Sequence, residues 1–175
     1  MRDWVYGIYC RWWFRRRVQR YASRDFQRLL DTSPEGTRIG ILALGSRLTS
    51  DMDAAWFARQ LHVSEQDISL LIVDPGSNHV NSLSERSLEL WLKNKVQVPE
   101  LEYFKSNKFK YLFHIYPPDF WSLLYLGLST KASEHIAFWS PDQGPGTLFL
   151  PMQDLVLTES LLKTWHQLEP HIKWN

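Results

Sequence analysis

The stretch from Phe109 to Ser140 leaves this chain few choices of fold. It opens with a nearly continuous apolar segment, Phe109-Lys-Tyr-Leu-Phe-His-Ile-Tyr116, and turns at Pro117-Pro118-Asp119. A second apolar segment follows from Phe120 to Lys131, and a third from His135 to Trp139. A short apolar run stopped by two prolines reads as a strand covered on both faces, because a strand with one wet face alternates polar and apolar positions. The middle segment, opened by Asp119, carries Phe120, Trp121, Leu123, Leu124, Leu126 and Leu128 almost all round a helical wheel, so it predicts a helix buried on every side. Strand, helix and strand in this order form a βαβ unit with parallel strands.

The rest of the chain repeats the pattern. Arg38 to Gly45 predicts a first buried strand that ends at glycine. A helix is expected over 51–62, capped by Ser50, with Asp51 and Asp53 in its first turn. Ala54, Ala55, Ala58 and Leu61 then make a small face that can lie close on a sheet. Asp67 to Asp74 predicts a second strand, stopped by Pro75-Gly76. The signal weakens over 77–106, where 84–95 reads as a helix with Leu88, Trp91 and Leu92 inward. Thr147 to Leu150 suggests a short edge strand, and Thr158 caps a closing helix to Leu168. The expected class is α/β: a Rossmann-like three-layer sandwich with a mainly parallel sheet. It is expected as a single α/β domain over 31–175, preceded by a basic aromatic N-terminal helical arm over 1–30.

The arm is the least ordinary part. The chain of 175 residues has a formal charge of +1, yet residues 1–28 hold eight arginines, no lysine and two acids. That segment therefore stands at +6 and the remainder at −5. Three of the nine tryptophans fall within the first 13 residues. Arginine presents a planar fork to phosphate or carboxylate and stacks on aromatic rings. Tryptophan suits a membrane interface, a nucleobase or an aromatic protein groove. Trp4, Arg11, Trp12, Trp13, Arg15, Arg16, Arg17 and Arg20 are accordingly the candidate partner-binding residues. Phe26, Leu29 and Leu30 are read as the start of packing onto the body.

Catalytic chemistry is not evident. There is no G-x-G-x-x-G in the first loop, no G-x-x-x-x-G-K-[ST] and no G-x-S-x-G. The six histidines show no metal-ligand spacing. His114 and His135 fall on successive strands as possible neighbours and read as core histidines. Cys10 is the single cysteine and can form no internal disulfide. In an open α/β sheet a ligand sits beyond the carboxyl ends of the strands. By position alone Gly45, Ser46, Asp74 and Asp119 are therefore a possible ligand pocket, with Asp74 toward a ribose. The plainer reading makes Gly45 a turn residue and Asp74 a solvated carboxylate. No cofactor, metal or small-molecule partner is indicated.

Three places carry a resemblance to a family of small, uncharacterised bacterial Rossmann-like proteins. They are the basic N-terminal helix leading to Arg38-Ile-Gly-Ile-Leu42, the segment Ser129-Thr-Lys-Ala132 before His135-Ile-Ala-Phe138, and the leucine-rich closing helix. The resemblance implies a Rossmann-like fold and no assigned reaction. Residues 109–139 also look like the acceptor-side half of heptosyltransferases. There an acidic residue usually ends the first strand and glycine follows the second; this chain has Tyr116-Pro117 and Trp139-Ser140.

The reading favoured by the sequence is a non-enzymatic accessory protein. Its arm would dock on a larger protein assembly or on the anionic cytoplasmic face of a membrane. RNA or ribosome binding through the same arm is one alternative. A small nucleotide- or sugar-nucleotide-binding enzyme related to glycosyltransferases is another. With no secretory signal and no apolar stretch near the ~20 residues of a membrane span, the expected location is cytoplasmic, with peripheral membrane attachment as the variant.

Overall fold

The computed structural model describes residues 12–19, 38–74, 82–139 and 148–149. The closing helix expected over 158–168, and Phe26, Leu29 and Leu30, lie outside the described residues. A helix over 12–19 is α1. Then follow β1 (Ile39–Leu44), α2 (Ala54–Leu61), β2 (Ile68–Val73), α3 (Glu85–Leu92), α4 (Pro99–Ser106), β3 (Lys108–Ile115), α5 (Trp121–Ser129), β4 (Lys131–Ala137) and β5 (Leu148–Phe149). Among the described residues the strands form one sheet in the order β2-β1-β3-β4-β5, every pair parallel. The fold is thus the Rossmann-like α/β sandwich that the alternation predicts.

The order follows from the handedness of crossovers. From β1 the chain moves outward to β2 through α2, then reverses and passes β1 to reach β3. Right-handed connections put helices on opposite faces when the direction reverses. Ile39, Ile41 and Ala43 of β1 accordingly pack with Trp56, Phe57, Ala58 and Leu61 of α2. Leu42 and Leu44 point the other way, into a core shared with α3, α4, α5 and α1. All six residues of β1 are buried, as two covered faces require. Gly40 lies on the second face, where an added Cβ would sit 2.7 Å from Leu112 Cδ1 and 2.9 Å from Phe109 Cδ2. Its missing side chain admits those two neighbours.

Helix α5 is buried from Ser122 to Leu128, as its all-round apolar sequence predicts. The physical reason is a layer above it as well as the sheet below. Phe14 and Val18 of α1, one helical turn apart, enter the same core, and the Phe14 and Tyr125 rings lie 5.9 Å apart. The guanidinium of Arg17 donates to Tyr125 Oη at 3.2 Å. Helix α1, which precedes Phe26 in the chain, is therefore itself packed onto the body.

Three local expectations are corrected. Helix α2 starts at Ala54, not Asp51, and its cap is Asp53, whose carboxylate accepts from Trp56 N at 2.7 Å. Asp51 instead takes the Thr49 hydroxyl in the preceding turn. Strand β4 starts at Lys131, so α5 ends at Ser129 and a single residue, Thr130, makes the link. Helix α4 was not foreseen, although Pro99 at its start, Glu100 and Glu102 in the first turn and Lys105 in the last match the polarity of a short helix. Trp91 Nε1 donates to Glu102 Oε1 at 2.7 Å and ties α3 to α4.

Candidate functional site

Three places concentrate unusual chemistry: a buried histidine pair, a cavity at the sheet's carboxyl edge, and the outer side of α1.

His114 and His135 lie on adjacent strands, displaced diagonally, since His114 pairs with Ala137 and His135 with Leu112. Both side chains point to the α5 face and are fully buried. His114 Nε2 lies 3.0 Å from His135 Nδ1, and His114 Nδ1 lies 2.5 Å from Tyr116 Oη. Tyr116 Oη in turn donates to the Leu123 carbonyl at 3.2 Å. One arrangement of protons satisfies all three contacts. Tyr116 uses its only hydrogen on Leu123 and so must accept from His114 Nδ1–H. His114 Nε2 is then a bare acceptor for His135 Nδ1–H. Both rings are neutral in this arrangement. Burial holds His114 well below the usual histidine range, reinforced by the neighbouring His135, and lowers His135 to about 4. Burial likewise pushes the Tyr116 hydroxyl well above its usual range.

Gly127 of α5 makes the cluster possible. A Cβ there would sit 2.5 Å from His114 Cε1 and 2.8 Å from Tyr116 Oη. The cluster is sealed inside the sandwich, so it aligns β3, β4 and α5 and does not face a ligand. His114 and His135 are core histidines, as the sequence suggests.

The cavity, of about 400 Å³, is lined by Phe14, Glu85, Glu89, Pro117, Asp119, Phe120, Trp121 and Ser122. It opens where β3 ends, beside the point between β1 and β3 at which the strand order reverses, and this is where ligands of doubly wound sheets bind. Asp119 is the one predicted pocket residue that it contains. Gly45 is buried in the turn after β1, Ser46 is exposed beside it, and Asp74 is buried after β2, with its backbone N–H on the Leu83 carbonyl at 2.9 Å. These three sit at neighbouring strand ends but outside the cavity lining.

Glu85 and Glu89 were missed by the sequence reading. The signal was present: two glutamates at i and i+4 repel on one helix face, an arrangement that weakens an isolated helix. Among the described residues no three histidine, cysteine, aspartate or glutamate side chains converge as a metal site would require.

On α1, Trp12 is 54% exposed, and Arg15, Arg16 and Arg17 are exposed beside it. Each guanidinium lies near a ring: Arg16 at 5.4 Å from the centroid of Trp12, Arg17 at 4.3 Å from Trp13 and Arg15 at 5.7 Å from Trp121. Trp13 is half-buried and packs against the core. Trp4, Arg11 and Arg20 lie outside the described residues. No described helix is long and apolar enough to cross a membrane. Comparison of the chain with protein-family models, curated proteins and solved structures finds no match.

Proposed function

We propose that this protein is an interaction module that docks through the outer side of α1 onto an acidic face of a larger protein assembly. The observation that carries the reading is the division of α1 into two sides. Phe14 and Val18 are buried in the body, while Trp12, Arg15 and Arg16 face outward. The docking residues are therefore held on a packed helix, and little ordering cost remains for binding. Tryptophan and arginine are the side chains most enriched where protein interfaces concentrate their energy. The +6 of residues 1–28 gives the partner's sign.

The same division argues against lipid. An interfacial helix inserts its apolar face among acyl chains, and the described apolar face of α1 is already covered by the body. RNA shares the sign of the proposed partner and differs in its response to salt and nuclease.

The test is purification of the tagged full-length chain from its own cells beside Trp12→Ala and Arg15→Glu/Arg16→Glu versions. A defined protein should accompany the unmodified chain, survive nuclease, and be lost from both variants, as expected if each anchor contributes about 2 kcal/mol. Equal recovery with all three forms overturns the proposal. Loss on nuclease treatment, with affinity falling steeply as salt rises, would transfer the site to RNA.

A further inference from the structure

The amino edge of the sheet, at the opposite end from the cavity, gathers positive charge. Arg38 precedes β1, and Lys108 and Lys131 open β3 and β4; all three are exposed. The topology brings them together, because β1, β3 and β4 are neighbours and Lys108 is the register partner of Lys131. Like charges opposite each other on adjacent strands repel. Asp67, immediately before β2, flanks Arg38 on the other side, since the first residues of β1 and β2 are partners. Glu134 is exposed three residues beyond Lys131. Among the described residues the positive stretch therefore runs from Arg38 across β3 to the start of β4.

Cations beyond helix C-termini are ordinary, so charge alone makes no site here. The second observation is an amide. Asn107 stands between α4 and β3 and is 7% exposed. Its Oδ1 accepts from Arg38 Nη1 at 2.7 Å. Its Nδ2 is buried and has no hydrogen-bond partner, although buried polar groups are normally satisfied. Exchanging the two ends of the amide is no remedy, because it sets an N–H group against the guanidinium, donor to donor. Nδ2 and Oδ1 share one carbon, so Nδ2 stays within about 5 Å of Arg38 Nη1. Amide and guanidinium donors thus lie side by side, next in the chain to Lys108, and an anionic oxygen would serve both.

We infer that this edge binds a phosphate oxyanion with at least two phosphate groups. One group would accept from Asn107 Nδ2 and from the planar fork of Arg38. The next would lie between Lys108 and Lys131, whose strands run about 4.8 Å apart, and would relieve their repulsion. A single phosphate can engage the first contacts or the second, not both. The site lies at the other end of the sheet from Trp121, over which Arg15 of α1 is held, and the inference does not rest on the docking reading.

The experiment is calorimetric titration of the full-length protein with pyrophosphate, inorganic phosphate and adenosine diphosphate, at constant ionic strength. Pyrophosphate should bind saturably and about tenfold more tightly than inorganic phosphate. Adenosine diphosphate binding as tightly as pyrophosphate would assign the site to nucleotides, and weaker binding would assign it to free pyrophosphate. Asn107→Asp keeps the oxygen that holds Arg38 and replaces the donor with an acceptor; it should weaken pyrophosphate binding by about tenfold or more. Lys108→Gln and Lys131→Gln, both at exposed positions, should each weaken it by about threefold and guard against a folding defect at Asn107. Three results overturn the inference. They are no saturable binding of pyrophosphate, equal binding by the Asn107 and lysine variants, and binding that persists in Asn107→Asp but is lost from Arg15→Glu/Arg16→Glu, which would place the anion on α1.

Discussion

The outer side of α1 and the interior beneath α5 are made from the same materials, aromatic rings and nitrogen bases, and put them to opposite uses. Outside, guanidinium groups lie over Trp12, Trp13 and Trp121, and one of them, Arg17, also donates to Tyr125 Oη. Inside, imidazoles stack at 5.2 Å between ring centroids, lose their charge to burial and close a chain of hydrogen bonds. Solvent makes the difference. Arginine cannot give up its proton, so it stays where water or a partner can balance it. Histidine can become neutral, so it can enter a core at the cost of requiring a fixed tautomer. A polar aromatic cluster can thus serve cohesion or recognition, and its burial decides which.

The largest test of this contrast is at Phe14, where the exterior helix is anchored. Phe14→Ala should cost about 4 kcal/mol of unfolding free energy in urea, because it empties a fully buried site. A loss below about 1 kcal/mol would mean that α1 contributes little to the core.

Acid should act on the buried histidine pair. An unfolded histidine takes up its proton near pH 6.5, whereas folded His135 resists until about 4. Between those values the unfolded chain binds more protons, so stability falls as pH is lowered from 6.5 toward 4 and is fully present above that window. His135 alone accounts for about 3 kcal/mol of the fall, and His114 acts in the same direction. Denaturation curves across this range should show the slope, and His135→Gln should remove its share. A flat profile would place the pair in contact with solvent.

A smaller effect is expected from Tyr116→Phe. It leaves His114 Nδ1–H without its acceptor and Leu123 without its donor, at about 2 kcal/mol. A neutral result would break the proton arrangement derived for the cluster. Smallest is Arg17→Ala on the outside, which removes an exposed stacking contact and one hydrogen bond to Tyr125. It should change stability by less than about 1 kcal/mol. A large loss there would show that the exterior cluster is structural after all.

Some features were legible because burial leaves a local mark. The unbroken apolar runs of β1 and β3, and the apolar circumference of α5, announced elements covered on both sides. Other features leave no such mark. The first half of β4 contains Lys131, Ser133 and Glu134, of which Lys131 reads as the end of the preceding helix and the others carry no strand signal; pairing of Lys131 with Lys108 and of Glu134 with Tyr111 makes it strand. Asp53 displaced Ser50 as the cap of α2 because the turn held by Thr49 and Asp51 delays the first helical bond. Asp119 was found from its place after a strand, whereas Glu85 and Glu89 reach the same cavity from a helix more than 20 residues earlier in the chain.

The sequence by itself determined the class of the fold, the alternation of its elements and the interior character of α5, because apolar periodicity responds to how many faces of a segment are covered. Only the tertiary structure decided the strand order, the anchoring of α1 on α5, the meeting of His114 with His135 and the acidic cavity. Each of those brings together residues that are distant in the chain, and a contact between distant segments depends on how the elements stack.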